Sequence, residues 1–581
     1  MNIVQNKVIA DIFDEIAAML SIEETPSSKF EIRAYERAAL TIDTLQEPIE
    51  EIYQRGGKAA LMELPGIGKG LSEKIEEYIK TGKIKKYDEL KKKYPIDMKE
   101  ITKIEGMGAK RAITLYRKIG VKNISDLKKA VAGHKIASLE GFGEKSEELI
   151  KKGLKLLDVS KGRILLGDAL PVAESIRDRL LRSDLVQKAI VCGSTRRMKE
   201  TVGDLDILAI SNKSEKVMDF FTKLPDVDNT ISRGPTKTTV WLKIGISCDI
   251  RVVEKENFGA AMQYFTGNLS HNVKMRQIAI KKSLRLNEYG LFDKKNKNVS
   301  AGENEEEIYK TLGLDWMEPE MREDRGEIDL ALQHKLPRLI RLEDIRGDLQ
   351  IHANPAGRVT DSLDEMSQSA IKIGREYIGI TNHSKSLYAE KGMTDKQLEK
   401  FFETIDKTNE RLEGKLRILK SAEIDILKDG SLDVSKKTME QMDYRFAAVH
   451  SNLKMNKEEM TERVSKAIDS GYVNILGHPT ERLINKREPI LMDLDRIFEA
   501  AQNNGVVMEI DAQPDRLDLN DENIFKAKEY KLSFSIDTDA HSTAQMYFMR
   551  YGIGMAKRGW LKKEDVINTK KVEDLLKHFA K

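Results

Sequence analysis

The sequence predicts a multidomain protein that is α-helical near its N-terminus and mixed α/β in the remainder. The N-terminal part carries apolar residues at helical spacing and three glycine-rich turns. The middle contains short apolar strands interrupted by aspartates, and the C-terminal part alternates strands with helices. A chain of 581 residues is long enough for several domains.

The composition indicates a globular protein of the cytoplasm. Hydrophobic residues make up 40% of the chain and charged residues 33%, and no apolar run is long enough to cross a bilayer. The N-terminus lacks the apolar stretch of a secretory signal. Two cysteines, Cys192 and Cys248, both fall in predicted strands, so no disulfide framework is expected. The net charge of +3 is too small to indicate nucleic-acid binding by itself.

The N-terminal part is predicted to bind the backbone of a nucleic acid through three similar turns. In each, glycines precede a helix, so that backbone N–H groups at the helix start can bind a phosphate. A single turn of this kind could simply separate two helices. Three of them at a spacing of roughly forty residues predict helix-hairpin-helix binding without sequence preference. The glycines concerned are Gly66, Gly68, Gly106, Gly108, Gly141 and Gly143.

The stretch from Gly193 to Asp206 reads GSTRRMKETVGDLD and lies between two apolar runs that are predicted strands. Asp204 and Asp206 are two residues apart, so on a strand their carboxylates share a face. Such oxygen ligands suit Mg²⁺, which leaves other coordination positions for water and phosphate. Gly193 and Ser194 with the following arginines suit phosphate oxygens. The alternative is an ordinary strand pair with a solvent-exposed Asp-x-Asp.

A third acid is expected beside this pair. Asp249 interrupts the apolar strand 247–253, which follows another predicted strand, 240–244, across a turn at Gly245. A buried aspartate without a partner is costly. Placed next to Asp204 and Asp206, Asp249 would complete a site for two metal ions that clamp a phosphoryl displacement.

These motifs resemble the nucleotidyltransferase palm of family X DNA polymerases. The resemblance implies that Asp204 and Asp206 bind both metals, and that Asp249 binds the catalytic metal and helps to deprotonate the primer 3′-hydroxyl. The sequence YFTG at 264–267 is similar to the nucleotide pocket of that family. By resemblance, the nucleotide-binding residues are Gly193, Ser194, Arg197, Gly203, Tyr264, Phe265, Gly267, Asn272 and Arg276.

The same resemblance extends to a small lyase-type domain in the N-terminal part. In relatives with deoxyribose phosphate lyase activity, a lysine one turn into the helix after the first hairpin forms a Schiff base. The matching residue is Lys74, and Tyr35 and Lys86 match supporting residues. A second lysine of the family falls on Gly70, which makes the expected pocket less basic. Phosphate binding alone is the alternative.

The C-terminal part is predicted to be a (β/α) barrel with a metal site on its rim. Six of the nine histidines follow residue 346, several of them at the ends of predicted strands. One such histidine is usually structural, but several together with two carboxylates indicate a site for more than one metal. The candidate ligands are His352, His383, Glu423, His450, His478, Asp539 and His541.

This pattern resembles the polymerase-and-histidinol-phosphatase (PHP) domain, a distorted barrel that follows the polymerase core in bacterial and archaeal family X enzymes. The family has nine ligands, and here Gln350 replaces a histidine and Gly357 an acid. Asp361 would replace the missing acid only if the loop is rebuilt. The resemblance implies Mn²⁺ or Zn²⁺ and 3′–5′ exonuclease or phosphoesterase activity, with two of three metal positions weakened.

Taken together, the sequence predicts a DNA-directed DNA polymerase that fills short gaps in DNA repair with two Mg²⁺ ions. Its expected partners are gapped or nicked DNA and deoxynucleoside triphosphates, and the chain is expected to be a monomer. Two alternatives stay open: a template-independent nucleotidyltransferase, and a DNA-processing nuclease acting mainly through the PHP domain. The predicted domains are a lyase-type domain (1–85), a hairpin subdomain (86–160), the palm (161–255), a thumb-like nucleotide-selection subdomain (256–317), a linker (318–336) and the PHP domain (337–581).

Overall fold

A computed structural model describes residues 3–21, 26–43, 45, 48–102, 104, 107–159, 162–293, 295, 298–300, 303–353, 361–387 and 392–580. The chain forms two compact units. One comprises Met1–Gly162 with the short segment Leu483–Glu488, and the other comprises Arg163–Arg482 with Pro489–Lys581.

The first unit is α-helical, as its sequence periodicity predicts. Ile9, Phe13 and Ile16 lie on one face of the first helix and are fully buried, with Ile12 packed at the edge of the same core. Because these residues recur every three or four positions, one helix face supplies the apolar surface. The helices are α1 (Ile3–Leu20), α2 (Pro26–Asp43), α3 (Ile49–Met62), α4 (Lys69–Thr81), α5 (Lys85–Lys93), α6 (Met98–Thr102), α7 (Ala109–Ile119), α8 (Ile124–Ala132) and α9 (Glu144–Val159).

The second unit begins with a mixed five-stranded sheet. Its elements are β1 (Ile164–Leu165), α10 (Leu166–Arg182), β2 (Lys188–Val191), α11 (Gly193–Arg196), β3 (Thr201–Val202), β4 (Asp204–Ile210), α12 (Ser214–Thr222), β5 (Val227–Arg233), β6 (Lys237–Leu242) and β7 (Ser247–Val253). The five-stranded sheet has the strand order β2-β4-β7-β6-β5, whereas β1 and β3 pair in a separate two-stranded sheet. β4 and β7 pair in parallel, whereas the other pairs are antiparallel. The two central strands alternate buried apolar residues with the aspartates.

A smaller helical region with a three-stranded sheet follows. Its elements are α13 (Phe258–Thr266), α14 (Leu269–Lys281), β8 (Arg285–Asn287), β9 (Gly290–Phe292), β10 (Asn298–Ser300), α15 (Glu305–Thr311) and α16 (Glu327–Leu332). The segment 318–336, expected to be a linker, instead forms a 3-10 helix at Pro319–Met321 and α16. Ile328 and Ala331 belong to the same core as α14 and α15. The segment 318–336 is thus part of a folded core, and it is polar because some of its charged residues are buried next to partners.

Two of these pairs hold the region together. The Arg322 guanidinium is fully buried and binds both oxygens of Glu305, at 2.7 and 3.1 Å. His271 Nδ1 lies 2.8 Å from Glu327 Oε1, and both side chains are inaccessible to solvent. A buried charge is tolerated only with such a partner. The pairs thus fix α14, α15 and the segment 318–336 to one another.

The C-terminal region contains two parallel sheets, in the orders β11-β12-β13 and β14-β15-β16-β17-β18. The strands are β11 (Gly347–Ile351), β12 (Tyr377–Ile380), β13 (Arg417–Lys420), β14 (Glu423–Asp425), β15 (Phe446–Ala448), β16 (Ile475–Leu476), β17 (Val507–Asp511) and β18 (Phe534–Asp537). The sheets are joined by a bridge between Ile351 and Ala540 and by another between His383 and Glu423. The order of neighbours therefore closes on itself.

Helices cover this ring, and several of them start after a residue whose side chain caps the helix. They are α17 (Leu363–Lys372), α18 (Asp395–Leu412), α19 (Lys436–Met439), α20 (Lys457–Asp469), α21 (Leu494–Asn504), α22 (Asp521–Glu529), α23 (Met549–Arg558) and α24 (Val572–Phe579). The side chains of Ser362, Asn456, Asp493 and Asn520 each accept a hydrogen bond from a backbone N–H of the following helix. Such caps satisfy donors that the first helical turn leaves unpaired. Within the described residues, no helix is long and apolar enough to span a membrane.

Replacing Arg322 with Met should destabilise the second unit. The variant leaves the buried Glu305 carboxylate with Arg196 as its remaining arginine partner, which costs about 2 kcal/mol in the free energy of unfolding. Denaturant-induced unfolding followed by circular dichroism would measure it. Arg341→Met is the matched control, because the Arg341 side chain is 54% exposed and lies 3.7 Å from Glu343. An equal effect of both variants would contradict a structural role for the buried pair.

Candidate functional site

Three aspartates meet at the ends of β4 and β7. The two strands are parallel neighbours, and Asp206 is the direct partner of Asp249 in their register. Asp204 precedes Asp206 by two residues and is exposed, while Leu205 between them is fully buried. The alternation of a strand therefore directs both acids of the Asp-x-Asp toward the same side.

The turn after β2 approaches Asp206 closely. The Cys192 N–H donates to the Asp206 carbonyl at 2.7 Å, and Gly193 has a φ of +64°. A Cβ placed on Gly193 would lie 2.3 Å from Asp206 Oδ2. Only glycine satisfies both constraints, the left-handed backbone and the missing side chain. The turn and the acid thus form one structural unit, with half-buried Ser194 following in α11 and half-buried Gly203 preceding Asp204.

The acids repel one another and attract a cation. Burial, together with the charges of Asp204 and Asp249, raises the pKa of Asp206 to about 7. Lys237 Nζ lies 2.5 Å from Asp249 Oδ2 and neutralises one of the three acids. Hard oxygen ligands with excess negative charge are the donor set that Mg²⁺ prefers. The residues therefore fit the expected divalent ion.

Lys237 is a site residue that sequence reasoning missed. The predicted strand covers residues 240–244, whereas β6 runs from Lys237 to Leu242. In the β6–β7 hairpin, Thr239 is the partner of Asp249, which puts Lys237 diagonally across from the acid on the same face. The register of the β6–β7 hairpin would have identified Lys237. That register could not be derived from the sequence, because the length of the turn at Gly245 does not determine it.

The two arginines after Ser194 bind carboxylates of the neighbouring helical region. Arg196 binds both oxygens of Glu305, at 2.7 and 2.8 Å. Arg197 donates from Nε to Glu323 at 3.0 Å and from Nη1 to the carbonyl of Thr266. Arg197, expected to hold a triphosphate, is thus engaged with the protein through two of its nitrogens. These contacts connect the phosphate-type turn to the region that carries Tyr264 and Phe265.

Tyr264 and Phe265 lie in the last turn of α13, with their rings edge to face at 5.1 Å. Phe265 lines a pocket that also contains Cys192, Asp206, Ile207, Leu208, Lys237, Asp249 and Arg251. Arg251 lies over the Phe265 ring at 4.7 Å. The structure therefore brings one predicted aromatic residue and two of the predicted acids to one pocket.

Two further residues of the predicted nucleotide pocket contact Tyr264. Arg276 lies over its ring at 5.5 Å, and Asn272 Nδ2 donates to its carbonyl at 2.8 Å. Gly267 follows α13 with a φ of +70°, and a Cβ there would lie 3.1 Å from Arg197 Nη1. Asn272 is itself buried and bound to Gln263 at 2.7 Å, so that it positions the end of α13.

In the first unit, the three glycine-rich turns share one backbone pattern. An N–H to C=O bond closes each turn, between Ile67 and Leu64 (3.1 Å), Met107 and Ile104 (2.9 Å), and Phe142 and Leu139 (3.0 Å). α4, α7 and α9 then begin directly after Gly68, Gly108 and Gly143. A Cβ on Gly68, Gly108, Gly141 or Gly143 would meet no atom within 4 Å, whereas one on Gly66 would meet Arg37. The helix starts are therefore open to a phosphate. Gly106 lies outside the described residues.

Lys74 occupies the position expected after the first turn. Its Nζ lies 3.3 Å from the carbonyl of Gly70 and 5.8 Å from the centre of the Tyr35 ring. Tyr35 is buried, which raises the pKa of its hydroxyl. Lys86 is half-buried near the start of α5. The structure brings Lys74 and Tyr35 together, and a lyase role for Lys74 stays a prediction.

The candidate ligands of the C-terminal region gather around one carboxylate, that of Glu423. Oε1 of Glu423 lies 2.6 Å from His450 Nε2 and 2.7 Å from His478 Nε2. Oε2 lies 3.1 Å from His383 Nδ1 and 3.3 Å from His352 Nε2. His352 Nε2 also lies 3.0 Å from Asp539 Oδ1, and its ring stacks on that of His541 at 4.2 Å. All seven predicted residues are thus in one cluster, named here the Glu423 cluster.

Second carboxylates orient two of its histidines. His450 presents Nδ1 to Asp425 at 3.3 Å, and His478 presents Nδ1 to Glu481. Arg516 holds Glu481 at 3.2 Å. Histidine ligands of metals commonly have such a carboxylate at the second ring nitrogen, which fixes the tautomer and aims the first nitrogen. Asp425 and Glu481 were missed from the sequence, although both lie within three residues of a predicted ligand.

Several atoms of the cluster are buried without a hydrogen bond. Among the described residues they include Nδ1 and Nε2 of His352, Oε2 of Glu423 and Oδ1 of Asp539. A carboxylate or imidazole is rarely left so, and a bound cation would satisfy these atoms. The donor set of nitrogen and oxygen ligands fits Mn²⁺ or Zn²⁺.

The two departures from the family pattern have different outcomes. Gln350 is fully buried, and neither of its amide atoms has a hydrogen-bond partner in the described part of the chain. Gly357 lies outside the described residues. The carboxylate of Asp361 accepts hydrogen bonds from the N–H and the hydroxyl of Thr543, both at 2.8 Å. Asp361 is not among the ligand groups found in the described residues.

Three segments match known domain families. Residues 4–84 match a helix-hairpin-helix domain, residues 98–156 match a SAM-like helix-hairpin-helix tandem, and residues 261–323 match the DNA polymerase beta thumb. The third match includes Gly267, Asn272 and Arg276 and extends into the segment 318–336. These matches cover both the turns of the first unit and the helices beside the acidic site.

Comparison with individual proteins extends the match to nearly the whole chain. The chain is 33% identical over 571 residues to "DNA polymerase/3'-5' exonuclease PolX" of Bacillus subtilis (strain 168), covering 98% of each chain. It is 24% identical over 340 residues to DNA polymerase lambda of Rattus norvegicus, covering 54% of this chain and 56% of that one. A segment of 242 residues is 25% identical to a probable phosphatase of Thermoanaerobacter sp. (strain X514), covering 40% of this chain and 94% of that one. With one relative matched along nearly its whole length, the chain belongs to family X of the DNA polymerases.

Proposed function

We propose that the chain is a DNA-directed DNA polymerase that fills short gaps in DNA repair, using Asp204, Asp206 and Asp249 to hold two Mg²⁺ ions. The observation that carries the proposal is the register of β4 and β7, in which Asp206 and Asp249 are partners at the edge of the pocket that Phe265 lines. Membership of family X and the polymerase names of the relatives support it.

The protein groups have separate roles in this proposal. Following the family resemblance, we assign Asp249 to the metal that activates the primer 3′-hydroxyl, with Lys237 beside it. Asp204 and Asp206 are assigned to both metals, and Ser194 with the backbone of α11 to the triphosphate. When bound, the two Mg²⁺ ions neutralise charge on the attacking and leaving oxygens of the displacement. Tyr264 and Phe265 would pack on the sugar and base of the nucleotide.

The first unit supports a nucleic-acid substrate. Three turns with open helix starts suit phosphates along a duplex, and gapped or nicked DNA is therefore the proposed substrate, with deoxynucleoside triphosphates. These turns argue against a nucleotidyltransferase that acts on small molecules, because such an enzyme has no nucleic-acid backbone to bind. We further propose a monomer that acts in the cytoplasm.

A second activity is proposed for the Glu423 cluster: phosphodiester cleavage from the 3′ end, with Mn²⁺ or Zn²⁺. One ion would be held by His450, His478 and Glu423. The other metal positions, which Gln350 and Gly357 weaken, would be formed by His352, Asp539, His383 and His541. The supporting observation is the set of buried ligand atoms around Glu423 that lie close to one another without hydrogen bonds. The printed name of the Bacillus subtilis relative, which includes an exonuclease, agrees with it.

Replacing Asp206 with Asn should abolish nucleotide incorporation on one-nucleotide-gapped DNA while DNA affinity changes little. The amide removes the charge that both metals would share. Single-turnover extension of a labelled primer measures the rate, and fluorescence anisotropy measures DNA binding. Asp228→Asn, at an exposed position of the same sheet, is the matched control. Incorporation at the wild-type rate by the Asp206 variant would refute the palm assignment.

Binding of Mg²⁺ to the palm should depend on pH. Because the raised pKa of Asp206 is about 7, a proton competes with the ion below that pH and is absent above it. The apparent affinity should fall by about tenfold per pH unit below the pKa and level off above it. Calorimetric titration of Mg²⁺ in buffers of different ionisation enthalpy would report the released proton. An affinity independent of pH would contradict this prediction.

Replacing His450 with Ala should lower the Mn²⁺ content of the protein and abolish trimming of a 3′ end. The variant removes a nitrogen 2.6 Å from Glu423 and leaves the palm untouched, so incorporation should persist. Metal analysis and a primer-degradation assay measure the two effects. His334→Ala is the control, because the His334 side chain is 68% exposed. Undiminished metal content and trimming would exclude the Glu423 cluster as the nuclease site.

A further inference from the structure

A buried arginine of the C-terminal region contacts the turn that precedes the palm acids. Arg558 is the last residue of α23, and its side chain is 1% exposed. Its Nη1 donates to the main-chain carbonyl of Arg197 at 2.9 Å and to Glu323 Oε1 at 2.9 Å. Its Nη2 donates to Asp521 Oδ2 at 2.6 Å. One guanidinium therefore joins three separate segments.

Glu323 accepts hydrogen bonds from both Arg558 and Arg197. The oxygen that binds Arg558 also accepts from Arg197 Nε at 3.0 Å. The other oxygen accepts from Asn268 Nδ2 at 3.0 Å and lies 3.7 Å from Lys199 Nζ. Burial opposes the charge of Glu323, but Arg558 and Arg197 outweigh it and lower its pKa to about 2. The carboxylate stays ionised and holds both arginines.

The backbone of α23 also packs directly on this turn. A Cβ on Gly554 would lie 2.7 Å from Met198 Cε, so the helix approaches Met198 without a side chain between them. Met198 has a φ of +52°, a left-handed conformation that a residue with a side chain seldom adopts. Two contacts from α23, at Gly554 and at Arg558, therefore hold the turn after Arg197 in place.

We propose that Arg558 is a positioning residue for nucleotide binding in the palm. Through the Arg197 carbonyl and Glu323, it fixes the end of the turn that begins at Gly193, together with Asn268 next to Gly267. It touches neither a palm acid nor the pocket lined by Phe265, and thus acts only through other residues. The inference rests on the proposed polymerase function and adds that a residue of the C-terminal region helps to position the nucleotide site.

The test compares Arg558→Gln with Arg550→Gln in the full-length protein. Arg550 lies on the same helix and forms an ion pair of 2.7 Å with Glu174 of α10, away from the turn. In steady-state extension of gapped DNA, Arg558→Gln should raise the KM for the deoxynucleoside triphosphate by about tenfold, the effect of losing hydrogen bonds between charged groups. Its kcat should fall less, and Arg550→Gln should leave KM unchanged.

Further measurements separate positioning from misfolding. Mn²⁺ content and 3′ trimming of Arg558→Gln should equal those of the wild type, because the Glu423 cluster is intact. Arg558→Lys keeps a charge but cannot reach all three acceptors, and should restore part of the lost affinity. Asp521→Asn, which contacts Arg558 from the side of α22, should raise KM by roughly threefold, since it removes only one of the bonds that aim the guanidinium.

The outcomes distinguish this inference from the proposed function. A wild-type protein that incorporates no nucleotide refutes the polymerase assignment itself. A wild type that incorporates, with Arg558→Gln and Arg550→Gln having equal KM values, refutes only the role of Arg558. If Arg558→Gln does not fold, Arg558→Lys and Asp521→Asn decide: unchanged KM values in both folded variants overturn the proposal.

Discussion

The parallel pairing of β4 with β7 is the constraint on which the candidate polymerase site depends. It is the single parallel pair among the described strands of the sheet β2-β4-β7-β6-β5, and its register makes Asp206 and Asp249 partners. A shift of one residue would turn one acid into the core and bring an apolar residue to the surface. The turn at Gly193 reinforces this register, because it has room for the Asp206 carboxylate only without a side chain.

Charge balance differs between the two candidate sites, and the difference suggests how each is held in shape. The palm has three acids against one lysine, so its carboxylates repel and must be placed by the sheet. In the Glu423 cluster, imidazoles surround a central carboxylate, and additional acids bind their outer nitrogens. There the side chains hold one another. Around the palm, Glu305 and Glu323 play a similar part by binding Arg196, Arg197 and Arg322.

Much of this arrangement was predictable from spacing within single elements. The alternation around Asp204 and Asp206, the glycines before α4, α7 and α9, and acids or histidines at strand ends are all local patterns. What the sequence did not reveal depends on contacts between distant segments. Lys237 required a hairpin register, the ordered state of 318–336 required the partner Glu305 for Arg322, and the engagement of Arg197 required Glu323, 126 residues further along the chain. A polar segment is predicted to be a linker when the residues that pair with its charges in the folded protein are not known.

The contact between α23 and the palm turn bears on how such proteins can be recombined. Gly554 fits against Met198 with no space for a side chain, and Arg558 is buried among acceptors contributed by three segments. A C-terminal domain taken from another protein would need a glycine at the position of Gly554 and an arginine at the position of Arg558 in its own helix. The boundary predicted at residue 337 falls within one compact unit of the structure. Domain exchange at that point would leave a buried acid, Glu323, facing a surface that was not shaped for it.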